Sequence, residues 1–170
     1  MVEIFTRTET GNLDTVTALK KKYVLGEELS MKIDHVGIAV KAIEKGIHDW
    51  ENIFGYRQST RVVTNTRQKV RVVFLEKEDS LPVKLIEPTD ITSPIHTFAQ
   101  KGGGLHHLCF LCENMEEELE RLKEKRLRIL AAPQPGEAFD NEKIAFVYVG
   151  QGLNIELIDT LKRAGRLSQP

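Results

Sequence analysis

IDHVGIAV at 33–40 and LHHLCFLC at 105–112 fall into step when the chain is slid along itself by 72 positions. The same ungapped offset lays RVVFLE (71–76) over KIAFVY (143–148) and VKLIEP (83–88) over IELIDT (155–160). In the last pair Leu and Ile recur identically, and Glu87 meets Asp159. Between the first two blocks Ile43, Ile47 and Trp50 lie over Met115, Leu119 and Leu122, spaced i, i+4, i+7 as on one face of an amphipathic helix. A constant offset across four blocks marks an internal repeat. Each half therefore reads strand, helix, extended strands: a βαβββ unit, made twice. The strands suit this reading, since KVRVVFLEK and EKIAFVYVG are rich in β-branched and aromatic residues.

The repeat sets the organisation of the chain. Modules at about 32–90 and about 103–160 are joined by a short linker helix at 93–101, begun by Ser93-Pro94 and ended by the glycines at 102–104. Residues 1–30 fall outside the repeat, where Leu13, Val16 and Leu19 predict one helix and Gly26 breaks it. The expected architecture is α+β: an N-terminal helical extension (1–30) and a single domain (31–170). At 170 residues the chain is long enough for one domain with a real core.

Composition excludes several classes. A net charge of -1, from 24 basic and 25 acidic residues, gives no general attraction to nucleic acid or to a membrane surface. Along 113–128 the signs alternate, as on a solvated helix face. No apolar run reaches the roughly 18–20 residues of a membrane span. The first 30 residues lack a signal peptide's apolar stretch and are too acidic for a transit peptide, so the cytoplasm is the expected location. The two cysteines, in CFLC (109–112), sit three apart on a strand and so face opposite ways; they read as small buried hydrophobes.

Strand alternation then selects side chains. In DHVGIAV one face carries Val36, Ile38 and Val40 and the other His35, Gly37 and Ala39. The offset puts His106, Leu108 and Phe110 on the packing face, and His107 and Cys109 on the small, polar, cavity-lining face. In NIELIDT, Ile155 and Leu157 take the packing face, leaving Glu156 on the other. His35, His107 and Glu156 thus occupy cavity faces of a duplicated unit, and two imidazoles with one carboxylate suit a divalent first-row metal with positions open for substrate. The position equivalent to Glu156 is Lys84, which cannot ligate a cation. Three outcomes are open: the lysine swings away and leaves a three-ligand site, it is neutral and acts as a base or weak ligand, or the metal is lost. The first is expected.

DHVGIAV, SPIHTFAQKGGGLHH and NIELID together resemble the vicinal oxygen chelate (glyoxalase/bleomycin resistance/dioxygenase) superfamily, over about residues 32–160. Within it they look most like the methylmalonyl-CoA epimerases. The resemblance implies paired βαβββ modules forming a half-barrel around a divalent cation (Co, Zn, Mn, Ni or Fe), with His35, His107 and Glu156 as ligands. The family's fourth ligand falls on Lys84, four residues before Pro88, and there this sequence departs. The implied activity is epimerase or isomerase chemistry on a small acyl thioester or related carboxylic acid, by proton abstraction beside a carbonyl. Glu156 would be one base. The second would fall in the strand at 70–75, which holds Arg71 and no carboxylate, so that Lys84, Glu76 or Glu78 would have to serve. Glu156 and Lys84 are the candidate catalytic pair, and a homodimer without nucleic-acid or membrane partners is the expected state. The alternatives are a non-catalytic small-molecule binder, with Lys84 answering an anionic ligand, and a glyoxalase-like or iron-dependent extradiol-dioxygenase-like enzyme.

Overall fold

A computed structural model describes residues 31–168; the helix expected before Gly26 lies outside them. The first module runs β1 (Lys32–Ala39), α1 (Ile43–Phe54), β2 (Arg57–Gln58), β3 (Val63–Asn65), β4 (Val70–Glu76) and β5 (Val83–Pro88). After a one-turn linker helix, α2 (His96–Gln100), the second runs β6 (Gly104–Leu111), α3 (Met115–Glu124), β7 (Arg128–Pro135), β8 (Lys143–Tyr148) and β9 (Asn154–Ile158). The pair β2 and β3 is one broken strand, both pieces running antiparallel to β4 as β7 does to β8. Two βαβββ modules are thus present.

All nine strands belong to one sheet of order β2-β4-β5-β1-β6-β9-β8-β7, with β3 also on β4. The order is a palindrome in the repeat, and the modules join where β1 and β6 run antiparallel at the middle. Within each module the first strand lies parallel to the last, β1 on β5 and β6 on β9.

The helices cover one face, each over its own module. Ile43, Ile47 and Trp50 of α1 pack on Val73, Leu75, Val83 and Leu85, while Met115, Leu119 and Leu122 of α3 pack on Ala145, Val147, Ile155 and Leu157. These are the positions the repeat put on one helix face. Capping differs between the two: α3 starts on Asn114, whose side chain accepts from Glu117 N, whereas α1 has no side-chain cap and is stopped by Gly55 in the left-handed conformation. The opposite face of the sheet carries a third apolar cluster, with Val70, Val72, Phe74, Phe139 and Ile144 among its members, and the polar groups discussed next. Gly102, Gly103 and Gly104 all have positive φ, and a Cβ at Gly103 would meet Ala39 O at 2.1 Å; the triple glycine lets the chain turn tightly from α2 into β6.

Candidate functional site

β1 and β6 each carry one extra residue at the seam. Ile33 pairs with Phe110 and His35 with Cys109, which leaves Asp34 surplus; Gly37 pairs with His107 and Ile38 with Leu105, which leaves His106 surplus. Positions 34 and 106 are related by the repeat, so each module has the same bulge. A bulge re-aims its side chain, and both turn toward the imidazole that follows. His35 Nδ1 donates to Asp34 Oδ1 at 2.6 Å, and His106 Nδ1 lies 2.8 Å from His107 Nδ1. Alternation put His106 on the packing face with Leu108 and Phe110. Those two do pack under α3, but the bulge removes His106 from the alternation: it is half-buried, lines the cavity and lies beside Phe98 of α2.

Each imidazole is braced by its own module. The edge of Phe74 meets His35 at 5.3 Å between ring centroids, and Phe146, its repeat partner, meets His107 at 5.6 Å. His107 lies directly over Gly37, where a Cβ would fall 2.1 Å from the ring; the glycine makes room for it. The two imidazole centroids are 5.6 Å apart.

Register brings the remaining pair together. Lys84 lies opposite Gly37 on β5, and Glu156 opposite Cys109 on β9, equivalent places in the two modules. Lys84 Nζ donates to Glu156 Oε1 and Oε2, each at 2.8 Å. His35 Nε2 is 3.0 Å and His107 Nε2 3.1 Å from Oε2, but His107 Nε2 is out of hydrogen-bonding alignment and has no partner among the described residues. His35, Lys84, His107 and Glu156 are all at most 1% exposed. Burial alone would raise the Glu156 pKa, but the Lys84 ammonium outweighs it and holds the carboxyl well below its usual range. Burial drives the His107 pKa down to about 3 against the pull of Glu156, so this imidazole is neutral.

The expectation from sequence that Lys84 swings away is therefore corrected: it stays on Glu156. Departure of its ammonium would leave a buried carboxylate uncompensated, at a cost of about 3–5 kcal/mol. Its Nζ also lies 4.8 Å from the Phe139 ring centroid, within cation–π reach.

Sequence reasoning missed Arg163, which lies beyond the repeat. Its guanidinium sits 4.7 Å from the Phe74 centroid and 4.8 Å from that of Phe139, and pairs with Asp34 behind His35. The chain of contacts Arg163, Asp34, His35, Glu156 fixes the ring orientation of His35 from behind. Of the three candidates for a second base, Lys84 lines the cavity and Glu76 and Glu78 do not. Arg71 pairs with Glu44 and Glu87, and Glu76 and Glu78 line a different hollow beside β2.

The cavity itself has a volume of about 380 Å³ and lies on the sheet face away from α1 and α3. Arg67, Lys84, His106, His107 and Asn154 are among its polar residues, and Val70, Ile86, Leu130 and Phe146 among its apolar ones. His35 and Glu156 lie deeper, behind Lys84 and His107.

The donors can be tested against a metal. His35, His107 and Glu156 each offer a ligand atom, all within 4.8 Å of one another. That is the donor chemistry of a first-row divalent ion, and the unpartnered His107 Nε2 is an atom such an ion would take. The carboxylate, however, is held on both oxygens by Lys84. A doubly charged ion 4 Å from an ammonium is opposed by on the order of 8 kcal/mol at an effective dielectric constant of 20. While Lys84 holds Glu156, the residues do not fit a divalent ion.

Residues 34–146 match the family described as the Glyoxalase/Bleomycin resistance protein/Dioxygenase superfamily. An uncharacterized protein of Bacillus subtilis, YqjC, is 36% identical over 117 residues, covering 68% of this chain and 81% of its own. Human mitochondrial methylmalonyl-CoA epimerase is 34% identical over 102 residues, 59% of this chain; the match spans 57% of the human protein's length. Among solved structures, a variant of Streptomyces coelicolor methylmalonyl-CoA epimerase in complex with 2-nitronate-propionyl-CoA superposes with a TM-score of 0.66 at 25% identity, over 75% of this chain and 95% of that one.

Proposed function

Since the chain belongs to the glyoxalase/bleomycin resistance protein/dioxygenase superfamily, we propose that its cavity binds a small acyl thioester or related carboxylic acid and moves the proton on the carbon beside the carbonyl, as an epimerase or isomerase of the methylmalonyl-CoA epimerase type. The observation that carries this reading is the cavity floor, where a buried cation, Lys84, faces the ligand space with the carboxylate of Glu156 directly behind it. Likeness to epimerases supports it at the level of the reaction class. A volume of about 380 Å³ suits a short acyl group among apolar walls, with any larger carrier outside.

Lysine has three N–H donors. Glu156 takes two, and the third is available to a substrate carbonyl oxygen. Taking up enolate charge at that oxygen acidifies the neighbouring C–H. His106 lines the same cavity, and burial, followed by the charge of Lys84, lowers its pKa, so a neutral imidazole is at hand to accept the proton. Glu156 acts through Lys84, holding its Nζ in place by both carboxylate oxygens. The resemblance implies a divalent ion at His35, His107 and Glu156, which the Lys84 ammonium on both Glu156 oxygens opposes. The homodimer stays part of the proposal and is tested by light scattering.

Incubation with 2-methylmalonyl-CoA in deuterium oxide is the test, read by mass spectrometry with Co(II) present and absent. Exchange at the α-carbon is expected. A second reading, non-catalytic binding of an anionic small molecule, is favoured by the full engagement of Glu156 with Lys84; saturable binding without exchange would support it. Neither binding nor exchange with this and related short acyl thioesters overturns the substrate class.

A further inference from the structure

We propose that the Lys84 ammonium is the resident cation of this site and stands in for the divalent ion that its two histidines and carboxylate would otherwise hold. The inference adds to the reading of the cavity as a carbonyl-binding site, yet its test does not depend on turnover.

Four observations carry it. Lys84 takes both oxygens of Glu156, the arrangement of a bidentate cation. It comes from the strand position that the repeat equates with Glu156, so it enters the cluster from the opposite module and not from its rim. Its surroundings suit an ammonium: Phe139 and Phe74 present their rings to Nζ at 4.8 and 5.9 Å, and Glu156 supplies the counter-charge. Finally, Glu156 Oε2 is the common focus of Lys84 Nζ, His35 Nε2 and His107 Nε2 at 2.8–3.1 Å. A metal recruited there would need the same oxygen and would add a double positive charge beside the lysine's own.

The consequence is a cation that chelators do not remove and that carries one charge where a metal carries two. With Glu156 it forms a neutral pair, so the floor polarises a ligand through a single N–H donor. It does not chelate two neighbouring oxygens at once.

Co(II) is the probe, because its visible spectrum reports coordination and its binding is read by calorimetry without any substrate. The full chain, treated with chelator, is titrated beside Lys84→Gln, and both are checked by circular dichroism. The expected result is no stoichiometric Co(II) on the wild type. Lys84→Gln, which offers an amide oxygen in place of an ammonium, is expected to bind one ion per chain, at least 100-fold more tightly, and to lose it again on adding His35→Ala. One Co(II) per wild-type chain, tight enough to survive gel filtration, overturns the proposal. So does a folded Lys84→Gln that gains no affinity. If Lys84→Gln fails to fold, Lys84→Met tests the same point: relief of the Co(II) exclusion is expected, and continued exclusion in a folded chain overturns it. Absence of α-proton exchange in all variants, with the Co(II) results as expected, sinks the reaction class and leaves the cation assignment standing.

Discussion

The two modules are alike in everything that builds the site and differ where the site acquires its charge. Both place a bulge one residue before the histidine, both brace that histidine with a phenylalanine edge, and both aim the same position of the last strand at the seam. The first module then supplies Asp34 behind its histidine and Lys84 at its floor; the second supplies His106 and Glu156 in their places. A symmetric pair of carboxylates would repel without a metal between them. An ammonium opposite a carboxylate bonds directly, so the asymmetry replaces a shared ion with a contact.

Exchanging the charges tests this difference most severely. Lys84→Met leaves Glu156 buried and unpaired and is expected to cost about 3–5 kcal/mol by urea denaturation. The reversed pair, Lys84→Glu with Glu156→Lys, is expected to recover most of that loss; if it does not, the positions are not interchangeable and the symmetry is only one of backbone. Removing Arg163, which serves only the first module's histidine, is next. Arg163→Met loses a partly buried charge-assisted hydrogen bond to Asp34 and is expected to destabilise by about 1.5–3 kcal/mol. Gly37→Ala pushes a methyl into the His107 ring and is expected to cost about 1–3 kcal/mol, as overpacking does. At Gly37's counterpart in the other module, Cys109→Gly should leave His35 in place.

Acid titration gives a smaller effect with a definite sign. Glu156 and Asp34 have folded pKa values below their ordinary 4.5 and 3.8: burial opposes, but the Lys84 ammonium prevails at Glu156, and the His35 hydrogen bond followed by the Arg163 charge prevails at Asp34. Such carboxyls stabilise the fold fully above their unfolded values, and that contribution is lost as pH falls through the folded ones. His107, its folded pKa down at about 3, adds a loss that begins where the unfolded imidazole takes up a proton. Stability measured from pH 7 downward should therefore begin to fall near pH 6.5 and fall further below about pH 5, the lower limb less steeply in Lys84→Met. An unchanged slope in the variant would mean that Glu156 is not what titrates. The least effect concerns the thiols: burial raises Cys112 to about 11 and Cys109 well above the usual range, so neither should label at pH 8 until the chain is unfolded.

Much of this was legible beforehand because the repeat ties distant residues together. An offset of 72 was enough to pair His35 with His107 and to single out Lys84 against Glu156. What it could not supply was side-chain direction at a bulge. His106 was placed by strict alternation, which one surplus residue breaks. The signal was there, however: the offset also pairs Asp34 with His106, and two polar residues preceding two equivalent histidines point to a shared role. The fate of Lys84 was decided by energetics that spacing does not express, since a lysine looks free to leave until its partner is known to be buried. Arg163 lies outside the duplicated region, where no counterpart marks it.

The ion pair across the seam also bears on whether the halves of this molecule have separate identities. Each module buries one formal charge whose neutralising partner belongs to the other. Cut within the linker near α2, the chain would give two fragments that discriminate between self and non-self. Two copies of the first would bring ammonium against ammonium, and two of the second carboxylate against carboxylate; only the mixed pair is neutral. The two halves of the repeat are thus complements and not copies, each carrying the specification of its mate in a single side chain.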